Sequence, residues 1–150
     1  MASVAKVWLA DDLAGLKEDP SPRLQADLYR CARETGWKVG RMVWSAQPYV
    51  AHHAVTWTPP HGGAVMQMRV NVLAPVVGFV SLPGEGWGQP YEDAPPLTLW
   101  WQRAGWLVPD ATWLNAPFTA SELSGLDASD IRELRRWPTL SRGDALFFEW

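Results

Sequence analysis

Two stretches decide how this chain is read: Tyr49-Val50-Ala51-His52-His53-Ala54-Val55-Thr56-Trp57-Thr58 and, after Pro59-Pro60-His61-Gly62-Gly63, Ala64-Val65-Met66-Gln67-Met68-Arg69-Val70-Asn71-Val72-Leu73. Apolar and polar residues alternate in both, and a period of two is the mark of a strand with one buried face. In the first stretch Tyr49, Ala51, His53, Val55 and Trp57 share a face, and in the second Met66, Met68, Val70 and Val72 do. For both sets to meet one core, an odd-numbered residue must oppose an even-numbered one. That parity favours a four-residue loop at 59–62 over a five-residue one. It predicts Trp57 opposite Ala64, Val55 opposite Met66 and His53 opposite Met68, with His52 opposite Arg69 and Ala54 opposite Gln67 on the other face.

Working outward, 37–45 is read as a strand before this hairpin and 75–82 as one after it. The two short apolar runs 97–101 and 106–114 are read as further strands. A helix is expected over Ser21–Thr35: Ser21 can cap, Pro22 suits the first helical position, and Gly36 stands where a left-handed residue ends a helix. Leu24, Leu28 and Cys31 form its apolar stripe, with Arg23, Asp27, Arg30, Arg33 and Glu34 off it. Cys31 is therefore core rather than nucleophile. A second helix is expected over 127–136, with acids in its first turn and Arg132, Arg135 and Arg136 toward its end. The segment 4–16 reads as an edge strand or a short helix, and its periodicity does not decide.

Charge is concentrated at the ends: residues 1–41 carry thirteen charged side chains, 42–118 six and 119–150 ten. A sheet in the middle, flanked by amphipathic helices, explains that distribution. The expected fold is α+β: one domain over 1–150, an antiparallel sheet of about five or six strands, the 21–35 helix on one face and a short C-terminal helix. With 47% hydrophobic and 19% charged residues, the chain is far from the composition of a disordered one. Its net charge of -3 lacks the basic footprint of a duplex nucleic-acid binder. One cysteine excludes an internal disulfide framework and a cysteine-based zinc site. Asp11-Asp12 interrupts the N-terminal apolar run before it reaches signal-peptide length, and no stretch reads as a membrane span. A cytoplasmic address follows as the default.

Three histidines raise the question of a metal, because neutral imidazole is a common ligand. Neighbours on a strand point to opposite faces, so His52 and His53 cannot chelate one ion, and His61 lies at the far end of the hairpin. No metal and no cofactor are expected. His52 beside Arg69 pairs two cation-capable groups on a polar face, able to hold a carboxylate or phosphate. Together with His53, Trp57, Trp100 and Trp101, they compose one candidate site for an apolar small molecule, in a binder or a small enzyme. Asp11-Asp12 and Glu92-Asp93 are acidic pairs with no histidine placed within reach. The nucleophile-elbow, dinucleotide-binding, phosphate-loop and His-Glu-x-x-His patterns do not occur.

The loop at 83–96 is long and rich in Gly and Pro, and it carries Glu85, Trp87, Tyr91, Glu92 and Asp93. Large aromatics beside carboxylates suit a basic protein partner, since Trp and Tyr supply much of the energy of an interface. Trp100-Trp101, if on a strand, point to opposite faces, leaving one to be covered by another element or by a partner. The run from Arg136-Trp137-Pro138 through Gly143-Asp144-Ala145-Leu146-Phe147-Phe148-Glu149-Trp150 resembles the tail of small bacterial proteins of the immunity-protein kind. That resemblance implies a closing segment packed by Phe147 and Trp150, and no catalytic residue. The expected function is a non-enzymatic protein-binding module, in its specific form an immunity or antitoxin-like protein that blocks a partner through the acidic-aromatic loop.

Overall fold

A computed structural model places residues 19–45, 52–72, 74–82, 90–117 and 141–147, and the description below is confined to these. Helix α1 (Ser21–Thr35) leads into strands β1 (Lys38–Val43), β2 (His52–Thr58), β3 (Met66–Asn71) and β4 (Val77–Ser81), followed by helices α2 (Pro95–Arg103), α3 (Ala111–Asn115) and α4 (Arg142–Leu146). The fold is α+β, and the strands form one antiparallel sheet in the order β1-β2-β3-β4. The expected helix at 127–136 and the segment 4–16 lie outside the described residues.

From His52 onward the hairpin faces are as the alternation requires, Tyr49 and Ala51 lying outside the described residues, but the register is two residues further on. Trp57 pairs with Met66, Val55 with Met68 and His53 with Val70. On the opposite face His52 pairs with Asn71 and Ala54 with Arg69, so His52 and Arg69 are not cross-strand partners. Parity fixes which side chains share a face, while the turn fixes the pairing. Here Pro59 and Pro60 have no N–H to give to the ladder, and Gly62 and Gly63 take φ of 80° and 124°. The turn therefore spans 59–65 instead of closing at 59–62.

Helix α1 keeps the expected bounds, with Gly36 at φ 78° donating its N–H to the Ala32 carbonyl at 3.0 Å. Its start differs: Pro20 takes the cap position, and the side-chain acceptor there is the Asp19 carboxylate rather than the Ser21 hydroxyl, accepting the Ser21 N–H at 3.0 Å. Leu24, Leu28 and Cys31 are buried, as their spacing predicts. Asp27, expected off the stripe, is buried too and accepts the Trp106 indole N–H at 2.8 Å.

The run 97–101 is helical, not a strand. Pro95 and Pro96 sit at the first helical positions, where an absent N–H costs nothing and the fixed φ already suits the helix. Leu97 and Trp101, one turn apart, both point into the core. Trp100 and Trp101 are thus neighbours on a helix, their rings edge to face at 5.0 Å. The run 106–114 is not a strand either: Leu107 makes a single parallel bridge to Val76, and α3 begins four residues later. With both runs removed from the sheet, four strands remain among the described residues.

The sheet is covered on both faces. Trp57, Val55, Met66, Met68, Val70, Val77 and Phe79 pack with Leu24, Leu28 and Cys31 of α1 and Leu97 and Trp101 of α2. Trp101 is central there, edge to face with Trp57 at 6.4 Å and with Trp106 at 5.1 Å. On the other face, Gly78 leaves room against Phe147, Leu114 and Tyr91; a Cβ there would lie 2.8 Å from a Phe147 ring carbon. The β4 edge is capped by main chain, with the Val77 N–H donating to Leu107 at 2.9 Å and the Glu92 N–H to Phe79 at 2.8 Å. Among the described residues no helix is long and apolar enough to cross a membrane.

Candidate functional site

The second face of the sheet gathers the polar side chains of β2 and β3 beneath the segment 141–147. Arg69 donates through Nε to the Gln67 amide oxygen at 2.9 Å and through a terminal nitrogen to the Tyr91 hydroxyl at 3.1 Å, its guanidinium lying 5.6 Å from the centre of the Tyr91 ring. The Tyr91 hydroxyl in turn donates a hydrogen bond to the Gly143 carbonyl at 3.1 Å, and the Asn71 amide donates to the Leu146 carbonyl at 2.7 Å. Two buried side chains thus bind main-chain oxygens of α4. Ser141 and Asp144 close the start of that helix reciprocally, Ser141 Oγ accepting the Asp144 N–H at 3.1 Å and Asp144 accepting the Ser141 N–H at 3.2 Å.

Burial controls the protonation of this cluster. His52 is pushed down to about 4, first by desolvation and then by the Arg69 cation, against a backbone hydrogen bond at Phe147 that favours the protonated ring. The residue is only partly covered as a whole, yet its Nδ1 is sealed from solvent and has no hydrogen-bond partner. Burial lifts the Tyr91 hydroxyl to about 12, with Arg69 opposing, and burial raises Asp144 despite its bonds to Ser141 and the nearby Arg69. At neutral pH His52 is an uncharged ring, and Tyr91 is a phenol that donates.

His53 lies on the opposite face. Its Nδ1 accepts the Ser45 N–H at 2.9 Å, so the neutral ring carries its proton on Nε2, which faces Ser21 Oγ at 3.4 Å. Nε2 therefore donates to the hydroxyl and cannot take its proton, the reverse of what a serine nucleophile needs from its base. The Ser21 hydroxyl in turn bonds Asp19, whose carboxyl is held below its ordinary value chiefly by the Ser21 backbone and side-chain hydrogen bonds. Burial lowers His53, and Trp44 packs edge to face on its ring at 4.8 Å. This chain of bonds ties the start of α1 to the sheet.

The side chains proposed for a small-molecule pocket do not converge. His52 and His53 face opposite sides of the sheet, and Trp57 and Trp101 are wholly buried core. Trp100 lies against α1, its indole N–H donating to Glu34 at 3.1 Å and Arg30 standing 5.1 Å from the ring centre. Burial pushes the Cys31 thiol up to about 12, as suits a core residue. Among the described residues no three His, Cys, Asp or Glu side chains are grouped to hold a metal ion.

Of the acidic-aromatic loop, Glu85 and Trp87 lie outside the described residues. Tyr91 is not an exposed anchor: it is 2% exposed, wedged between the sheet and α4 with its ring 5.7 Å from that of Phe147. Glu92 and Asp93 are exposed. Glu92 accepts the Ser81 hydroxyl, and Asp93 accepts the N–H of Ala111, the first residue of α3, at 3.0 Å. Asp110, also exposed, caps the same helix by accepting the Trp113 N–H at 2.8 Å. Three carboxylates are thereby fixed along one rim. Asn71, Asp27, Asn115 and Gly143 carry much of the polar architecture and were not singled out from sequence. Asn115 clamps the Tyr91 backbone on both sides, accepting its N–H at 2.7 Å and donating to its carbonyl at 2.8 Å. Compared with protein-family models, curated proteins and solved structures, the chain gives no match.

Proposed function

We propose that this chain is a non-enzymatic protein-binding module whose partner-facing residues are Glu92 and Asp93 of an acidic rim, together with Glu85 and Trp87 a few positions earlier in the sequence. The observation that carries the reading is that Glu92 and Asp93 are exposed and yet held, one by Ser81 and the other by the first turn of α3. Carboxylates already immobilised lose little freedom when they meet a cation, so they suit recognition of a basic surface. Asp110 on the same rim adds like charge that a cationic partner would relieve. Tyr91 contributes from beneath: its backbone, clamped by Asn115, sets the position of the two acids that follow it. The resemblance of the closing segment to immunity-type proteins supports the narrower form, in which the partner is a harmful protein that this chain blocks in the cytoplasm.

Charge reversal at both acids, Glu92→Lys with Asp93→Lys, tests the reading against a partner recovered from host cells or encoded beside this chain. Association should slow and lose its salt dependence, because rim charges steer encounter more than they hold the complex. Trp87→Ala should weaken binding by about 2 kcal/mol or more with the melting temperature unchanged, as for a central aromatic anchor. Unchanged association and affinity in both variants would remove this surface as the interface.

A further inference from the structure

The buried face under α4 contains a ring that its surroundings satisfy at one nitrogen only. His52 stands on β2 with Nδ1 sealed from solvent and without a partner, while Arg69, Asn71 and Tyr91 around it are each bonded. What seals that face is the segment 141–147, tied down by the Tyr91 bond to Gly143, the Asn71 bond to Leu146, the Arg142 N–H donating to Ala116 at 2.9 Å and the Pro117–Ser141 bridge. Phe147, at the end of the segment, brings its backbone to His52 and its ring to Gly78 and Tyr91.

We propose that residues 141–147 form a strap whose closure is controlled by His52: the neutral ring permits docking, and a proton on the ring drives the strap off the sheet. The groups that face the ring are Arg69 from β3, His53 on its own strand and the Phe147 backbone from the strap. Only the last favours a charged ring. Tyr91 and Asp144 bear on Arg69 from beyond, Asp144 as the partner of opposite charge and Tyr91 as a protonated phenol.

The direction follows from linkage. With the strap docked the ring titrates near 4, and with the strap lifted and the ring in water it returns toward its ordinary 6.5. The docked form is thus favoured fully above that ordinary value and loses ground as pH falls toward 4. Arg69 and His53 stay on the sheet when the strap lifts, so between pH 7 and pH 5 the opening equilibrium rises by at most ~20-fold on these two values. Asp144 works in the opposite sense, since its docked carboxyl is raised and acid favours its docked form.

Hydrogen exchange of the full chain tests this, with rates corrected for the intrinsic effect of pH. Protection of the Arg142 amide, whose bond to Ala116 ties the strap to the rest of the chain, should fall several-fold and by no more than ~20-fold from pH 7 to pH 5, while the β3 amides keep their protection. In His52→Gln the strap amides should lose no more protection than those of β3. Equal loss in β3 and the strap, or an undiminished strap response in His52→Gln, overturns the proposal. Should His52→Gln not fold, an NMR titration of the wild-type ring decides: a midpoint well below 6.5 supports the device, and one at 6.5 overturns it.

Discussion

A side chain at position 143 has no room. A Cβ built there falls inside contact distance of three atoms of the Tyr91 ring, at a place where Tyr91 also donates its hydroxyl to the Gly143 carbonyl. Glycine is needed here for close approach, not for its backbone angles, since its φ is not positive. Gly143→Ala should therefore destabilise the chain by about 1–3 kcal/mol, the cost of overpacking a filled site, read as a shift of the urea midpoint. An unchanged midpoint would mean that the Tyr91 ring moves freely. Residue by residue, the sequence is legible where the reason is local. His53 is buried because alternation puts it with Val55 and Trp57, and Cys31 because it lies one turn beyond Leu28. Tyr91 was read as a surface anchor from its Gly, Pro, Glu and Asp neighbours. Its acceptor lies 52 residues away, and no local pattern announces that.

At the scale of elements, periodicity succeeds for β2 and β3 and fails for α2. Five apolar-rich residues at 97–101 fit a strand and a buried helical turn equally, and the Pro95-Pro96 pair that starts the helix looks from sequence like the end of a loop. The register error in the hairpin has the same root: side-chain alternation carries no information about how many residues a turn consumes. The tie between α1 and the segment that follows α2 was equally hidden, because it runs through a carboxylate. Asp27 receives the Trp106 indole N–H and lies 3.1 Å from Arg30, while Arg23 reaches across to the Ala104 carbonyl at 2.9 Å. Asp27→Ala would leave the indole N–H buried and unsatisfied. The loss should be about 1–3 kcal/mol in chemical unfolding, with Asp27→Asn, which keeps an acceptor, losing less. Equal effects from the two substitutions would show that the charge, not the acceptor, holds Trp106 to α1.

For the molecule as a whole, the sequence revealed a sheet with one apolar face and left the other as a polar exterior. The structure closes that exterior too, using Tyr91, Leu114, Leu146 and Phe147 over a floor that includes Arg69, Asn71 and Gly78. A strand whose polar positions are half-buried looks, in sequence, like one whose polar positions are wet, which is why this closure could not be read in advance. The candidate site shared that fate. Its acids were visible as a pair, whereas their anchoring by Ser81 and α3 depends on chain segments far apart.

The bond from Asn71 to Leu146 spans 75 residues, while the strands it rests on pair with their immediate neighbours in the chain. Closing so long a span is entropically slow, so the meander is expected to assemble first and the strap to dock after the rate-limiting barrier has been crossed. Interactions made that late leave the folding rate alone and act on the lifetime of the native state. Asn71→Ala should accordingly speed unfolding by roughly 10-fold while refolding stays as fast as before, as stopped-flow measurements across denaturant would record. A slowed refolding limb would place the strap in the nucleus instead. On this order of events the strap acts as a kinetic lock, setting how long the folded chain lasts and not how quickly it forms.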